Sequence, residues 1–312
     1  MKIRNQSSAT EFLLLGFQSS PEQQILLFFI FFSMYTVILL GNLTIFIVIR
    51  TDSRLHTPMY FFFSILACVD VCFTSMTMPK LLVDLLSVKR TISFSACIAQ
   101  LNFFVSFGNM DSFMLGIMGF DRYMAICHPL HYVQVMTTRF CVSLVSCTWV
   151  IVSLHASVHS VLASKLVYCD SNEIHHYFCD IPPLLKLSCS DTTINELVLS
   201  TETTAIVLAP LLCIVISYGQ IAIVIIKIKS SQGRKKAFST CFSHLTSTTL
   251  FYGPVLFTYV RPSSVYSLDK GIWISVMYCM VTSMLNPFVY SIRNNDVKEA
   301  FKKLRGTLIS SQ

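Results

Sequence analysis

An acid, a base and a phenol stand side by side in Asp121-Arg122-Tyr123, closing a long apolar stretch within the run from Met118 to Tyr132. Charges at such a place sit where a membrane-spanning helix leaves the bilayer. A guanidinium pairs well with a carboxylate and tolerates partial burial, so Arg122 held by Asp121 is a candidate latch; the alternative is an interfacial arginine that snorkels. A second constellation, His175, His176, Cys179 and Asp180, gathers metal-ligating atoms within six residues and would suit a borderline transition metal.

The elements that must carry these groups follow from composition. The chain has 312 residues, 54% hydrophobic and 12% charged, with mean hydropathy +0.64, too apolar for a soluble domain. About 20 apolar residues cross the hydrocarbon as a helix. Runs of that length occur at Ile25 to Ile49, Pro58 to Leu86, Cys97 to Phe120, Phe140 to Ser164, Leu197 to Ile226, Ala237 to Val260 and Gly271 to Ile292. The expected fold is therefore an all-α membrane protein, a seven-helix transmembrane bundle. The polar segment ahead of the first span has no basic start, apolar core and small-residue cleavage site, so that span is expected to direct insertion.

Seven spans put the termini on opposite sides. One side carries 8 Lys and Arg; the other carries 14, five of them at Lys227, Lys229, Arg234, Lys235 and Lys236. Positive-inside asymmetry then makes 1–24 an extracellular N-terminus, 25–292 the transmembrane unit and 293–312 a cytoplasmic tail. The net charge of +7 is a basic inner face suited to anionic lipid or an acidic protein, and nothing in it requires nucleic acid. Within the tail, Val297, Ala300, Phe301 and Leu304 fall at helical spacing opposite Lys298, Lys302 and Lys303, the pattern of a short amphipathic eighth helix on the membrane surface. Asn5-Gln6-Ser7 is an N-glycosylation acceptor. Cys97, Cys169, Cys179 and Cys189 lie on the oxidising side, where two disulfides in any of three pairings are open to them. Pro79, Pro210, Pro254 and Pro287 fall inside spans and should bend them.

Six motifs in order carry a resemblance over nearly the whole chain: Gly41-Asn42; Leu55 to Phe61 leading to Asp70; Met118 to Tyr132; Ser217-Tyr218; Lys236 to Cys241 with Ser243-His244-Leu245; and Met284 to Tyr290. With them the chain resembles the rhodopsin-like G-protein-coupled receptors, in particular the odorant receptors. It departs in having Gly119-Phe120 where Ala-Tyr is usual before the acid, and Asp111 where Glu is usual. The resemblance implies that Asp121 and Arg122 form the cytoplasmic latch, with Tyr123 among the residues of G-protein coupling. Tyr218 and Tyr290, beside Asn286 and Pro287, would move in when the helices part to admit a G protein. It implies disulfides Cys97–Cys179 and Cys169–Cys189, the first of which would remove the Cys179 sulfur from any metal site, so no metal site is assigned. Asp70 and Asp111, costly in the membrane unless paired, hydrated or protonated, would form with Asn42 and Asn286 a polar cluster holding a sodium ion or a proton. No other cofactor is expected.

A ligand pocket is expected where spacing brings small and mildly polar residues together. Val105, Gly108, Asn109 and Ser112 follow i, i+3, i+4, i+7 and share one helical face. Tyr252, Val255, Leu256 and Tyr259 repeat that spacing around Pro254, and Thr203 and Ile206 would complete the wall. Phe104 stands where amine receptors carry an acidic anchor, and the seventh span has no lysine for a retinal Schiff base. A small, neutral or weakly polar volatile ligand follows, bound with modest affinity. The implied function is an odorant receptor of the plasma membrane that activates an olfactory stimulatory G protein and raises cyclic AMP, with no chemistry on the ligand. A transporter or channel using Asp70 and Asp111 as ion ligands is the rival. A membrane enzyme lacks a nucleophile with its base inside the spans.

Overall fold

The computed structural model describes residues 10–17, 19–169, 171–259, 268–291 and 295–310. Asn5 lies outside them.

Helix α1 (Pro21–Thr51) begins at a capping box: Ser20 Oγ accepts from Gln23 N, and Gln23 Oε1 accepts from Ser20 N, with Pro21 pre-set at the first helical position. It ends where Asp52 turns extended and accepts from Arg54 N at 3.0 Å. The second span is two helices, α2 (Pro58–Ser75) and α3 (Met78–Leu86). The helix breaks at Met76-Thr77, because Pro79 has no N–H to offer the carbonyl of Ser75 four residues back and its ring would strike that carbonyl. Pro79 therefore starts a helix instead of kinking one. The third span, α4 (Phe94–Cys127), is capped by Ser93 Oγ on Ala96 N and stops before Pro129, which opens the short α5 (Pro129–Val135). Helix α6 (Thr138–Ser164) is the fourth span.

Beyond the short α7 (Ile181–Leu187), the fifth span runs from α8 (Thr193–Val198) through a π-helical turn, Leu199–Thr203, into α9 (Thr204–Lys227). Helix α10 (Ser231–Tyr259) is the sixth span. The seventh joins α11 (Leu268–Val276), a second π turn at Met277–Val281, and α12 (Thr282–Ser291). Six of the spans among the described residues are long and apolar enough to cross a membrane by composition alone. The sixth span falls short because α10 opens with the polar run Ser231 to Lys236 and continues through Ser239, Thr240, Ser243 and His244. It is held by packing against α4, α9 and α12.

Helix α4 is the centre of the bundle, touching α2, α6, α9 and α10. Close approach is bought with small residues. A Cβ on Gly116 would lie 2.8 Å from Pro210 Cβ, and one on Gly41 would lie 3.1 Å from Pro287 Cγ. Large apolar side chains such as Phe29, Leu40, Leu154 and Ile216 point outward, as lipid contact requires. The tail helix α13 (Asn295–Ser310) packs Val297 and Ala300 against α1 and the loop after it, with Tyr60 Oη donating to Asp296 Oδ2 at 3.2 Å.

One element does not follow from hydropathy. A three-stranded sheet in the order β2-β1-β3 caps one end of the bundle. Strand β1 (Glu11–Leu14) pairs antiparallel with β2 (Thr91–Ser93), Phe12 facing Ile92, and parallel with β3 (Glu173–Ile174), Leu14 facing Ile174. The alternation Phe12 and Leu14 inward is the period of a half-buried strand. The leader is therefore part of the cap in addition to the long loop after the fourth span.

Candidate functional site: a small cavity beneath a disulfide-braced cap

Residues Val105, Gly108, Asn109 and Ser112 of α4 do form one wall of an internal cavity, with Phe104 above them and Val255 of α10 opposite. Phe73, His155, Ile181 and Tyr278 also line it. From the fifth span the lining residues are Leu199 and Val207, so Ile206 is corrected by one position. The π turn at Leu199–Thr203 inserts a residue and rotates the downstream face by about 100°, which carries Val207 to the place an uninterrupted helix would give Ile206. Leu256 packs against the core beside Val255 and Phe251 lines the cavity in its stead. The side chains of Thr203 and Tyr259 lie outside what the structure describes.

Two polar links close the cavity. Tyr252 Oη lies 2.7 Å from Ser112 Oγ and donates to Ser112 O at 3.1 Å, joining α10 to α4. Asn109 Nδ2 lies 3.0 Å from His155 Nδ1, joining α4 to α6. Around the entrance, the Phe104 ring sits 4.4 Å from Phe178 and 4.9 Å from Phe73. The enclosed volume is about 50 Å³, against roughly 300–1,000 Å³ for sites that take drug-sized molecules. A guest of more than a few atoms must move side chains, and the Tyr252 and Phe104 rings stand in its way. Histidine 155 was not found by spacing, yet an ionisable residue inside an apolar span is a recognised signal of function.

The cap is stapled above the cavity. Cys97–Cys179 and Cys169–Cys189 are both formed. Gln100 ties the pieces together, donating to Met76 O at 2.8 Å and accepting from Cys179 N at 2.9 Å. The four outer-loop metal candidates are spent on other work: Cys179 is bridged, Asp180 caps α7 through Ile181 N, His176 Nε2 meets Ser275 Oγ at 3.1 Å, and His175 is exposed. His176 is fully buried, and desolvation lowers its pKa to about 3. Since the unfolded value is about 6.5, the neutral ring's contribution is intact above that pH and lost as pH falls below it, at about 1.4 kcal/mol per pH unit. Thermal melts of the purified protein should therefore drop between about pH 7.5 and pH 5.5, and His176→Gln should make that slope shallower by one histidine's share. An unchanged slope in the variant would contradict the cap assignment.

Below the cavity, Asn286 Nδ2 donates to Asp70 Oδ2 at 2.9 Å, and Asn42 Nδ2 donates to Ser283 O at 3.0 Å. Asp70 and Asp111 are both buried, and among the described residues Asp111 Oδ1 and Asn286 Oδ1 have no hydrogen-bond partner. Buried carboxylate and amide oxygens of this kind fit a hard cation or a bound proton.

At the far end of α4, Asp121 accepts from Tyr132 Oη at 2.8 Å, while no ion pair within 4.0 Å joins it to Arg122 among the described residues. The direct pair expected from sequence is replaced here by a bond to α5. Adjacent residues on a helix point about 100° apart, which turns the two groups to different neighbours. Tyr123 Oη meets His128 Nε2 at 2.9 Å. The Tyr218 ring stacks on His244 at 5.5 Å, and His244 Nε2 lies 3.0 Å from Leu115 O. Pro287 is buried beside Asn286, and the Tyr290 side chain lies outside what the structure describes.

Seven spans, six of them apolar enough to cross a membrane by composition alone, a small buried cavity, a disulfide-braced cap and a polar cluster beneath define a multi-pass membrane receptor. The chain belongs to the olfactory receptor family, whose model matches residues 31–306. It is 51% identical to the rat protein "Olfactory receptor 1f45" over 304 residues, 97% of each chain. It is 49% identical to human "Olfactory receptor 1C1" and 48% identical to mouse "Olfactory receptor 1J1", again over 97% of each chain.

Proposed function

We propose that this olfactory receptor binds a small, neutral or weakly polar volatile in the cavity among α4, α6, α9 and α10, and activates a heterotrimeric stimulatory G protein that raises cyclic AMP. Its N-terminus would face outside the plasma membrane and its basic tail the cytoplasm. The observation that carries the reading is the Tyr252 to Ser112 link, which makes a cavity-wall contact one tie between α10 and α4, another being His244 to Leu115 near the inner end. A guest seated against Val255 and Asn109 competes with that tie. Freed of it, α10 can swing its other end, which bears Arg234 and Lys235, and open the inner face. A ligand moves the equilibrium only by its differential affinity for the two states. Asp121, Arg122, Tyr123, Tyr218 and Tyr290 would then rearrange around the partner, with Asp70 and Asp111 exchanging a sodium ion or a proton.

Cells expressing the receptor with a cyclic AMP reporter, screened with neutral alcohols, esters and ketones of about four to twelve heavy atoms, test this. Concentration-dependent responses that Asn109→Ala shifts about tenfold in potency, with basal signal retained, are the expected result. Responses indifferent to Asn109, Val255 and Tyr252 alike would remove the cavity from the account. Epitope tags accessible on the same side of the membrane at both termini would remove the topology.

A further inference from the structure

A groove of about 490 Å³ lies at the end of the bundle away from the disulfide-braced cap, between the turn joining α1 to α2 and the start of α6. It has about ten times the volume of the internal cavity and falls within the roughly 300–1,000 Å³ of sites that take drug-sized molecules. Its floor is apolar, formed by Ile49, Leu55, Phe61, Met136 and Cys141. Lipid reaches its flanks, since Ile47, a turn before Arg50, and Phe140, beside Cys141, are exposed apolar side chains.

The rim is basic. Arg50 and His56 line the groove, and no carboxylate does. The other cation of this turn, Arg54, is already engaged: its Nε and Nη2 donate to Asp52 at 3.1 and 2.8 Å, and its Nη1 donates to Glu299 at 3.3 Å. Arg50 has no ion pair among the described residues, and its guanidinium lies 5.3 Å over the Phe46 ring. A ring face steadies a guanidinium without consuming its donors.

Two helix ends add to that charge. The groove wall includes Thr57 and Thr137, the residues that cap the starts of α2 and α6. Thr57 makes no side-chain bond to its own helix. The positive ends of both helix dipoles therefore border a groove that already holds an arginine, and an anion is favoured there. An acidic peptide would match the rim and leave the apolar floor uncovered. A sterol would cover the floor and leave Arg50 without a counter-charge. A phosphate carrying an apolar chain satisfies both, because a guanidinium fork pairs with two phosphate oxygens while the chain lies on the floor.

We propose that this groove seats one anionic phospholipid, its phosphate on Arg50 and His56 and one acyl chain over Phe61 toward Cys141. The occupant bears on the far end of α4. Met136 N donates to Tyr132 O at 2.8 Å, closing α5, and Tyr132 Oη donates to Asp121 at 2.8 Å. A filled groove thus braces the helix that keeps Asp121 engaged. The seat rests on the chain spanning a bilayer and on neither odorant binding nor G-protein coupling.

Native mass spectrometry of the full-length receptor in micelles, with palmitoyl-oleoyl phosphatidylserine or phosphatidylcholine added, tests it. One phosphatidylserine should be retained, with phosphatidylcholine at least about tenfold weaker. Arg50→Gln should weaken phosphatidylserine about tenfold, and a Lys298→Gln/Lys302→Gln double variant, which removes exposed charges of α13, should leave it within about twofold. Phosphatidylserine with a photoreactive acyl chain should label residues 58–64 or 136–141 of the unaltered protein, a reading that needs no variant to fold. In nanodiscs, replacing phosphatidylcholine by phosphatidylserine should slow amide exchange across residues 129–136 at least about twofold. Equal retention of the two lipids, unchanged retention in Arg50→Gln, labelling confined to other segments, or complete loss of the lipid in about 10 mM inorganic phosphate would overturn the seat. Amide exchange indifferent to the lipid would overturn the brace.

Discussion

Cys97→Ser should leave the receptor without surface expression and without any ligand response. The bridge to Cys179 closes a loop of 82 residues, and loops of that size are worth about 4 to 5 kcal/mol in restricted unfolded-chain entropy. The native state depends on it too, because Cys179 brings with it the backbone N–H that Gln100 accepts and, next in sequence, the Phe178 ring packed on Phe104. Losing the bridge thus frees the cap and opens the cavity at once. Antibody staining of intact against permeabilised cells, using a tag at the N-terminus, reads the effect. Cys169→Ser, whose loop spans 20 residues on an exposed rim, should cost less, about 3 kcal/mol. Normal surface levels and ligand potency in Cys97→Ser would show that packing alone holds the cap.

Arg122→Ala should abolish ligand-driven cyclic AMP at near-normal surface density. Arg122 is half-buried at the inner end of α4, and its neighbour Asp121 is engaged with Tyr132 of α5. Its charge is therefore available to a partner that enters when α10 moves away. Loss of that contact should lower the response at least about a hundredfold, near the ~2.7 kcal/mol expected of a strong coupling term. Since no ion pair to Arg122 is broken among the described residues, folding should be little affected. A reporter normalised to surface staining separates the two effects. Undiminished signalling would take the arginine out of the coupling mechanism.

The same contrast separates what was legible from what was not. On α4 the i, i+3, i+4, i+7 pattern placed Val105, Gly108, Asn109 and Ser112 on the cavity wall, because that helix is continuous from Phe94 to Cys127. On the fifth span the same rule missed by one residue, because a π turn intervenes and no local pattern marks it. Pro79 was readable as a disturbance, but whether it kinks a helix or begins one depends on where the chain before it can turn. The strand at Phe12 was hidden for another reason: four residues become a strand only when Ile92 and Ile174 arrive to pair with them.

The sequence by itself determined the solvent: 54% hydrophobic residues in spans of bilayer length leave a helical bundle as the one way to satisfy the backbone, and ordered motifs name its family. Tertiary structure alone decided which polar groups meet. Asp121 with Tyr132, Ser112 with Tyr252, Asn286 with Asp70, and His155 with Asn109 join residues as much as 216 positions apart. Hydrophobic burial acts on average composition and can be read along the chain, whereas a hydrogen bond depends on tenths of an ångström between elements and is fixed only when they pack.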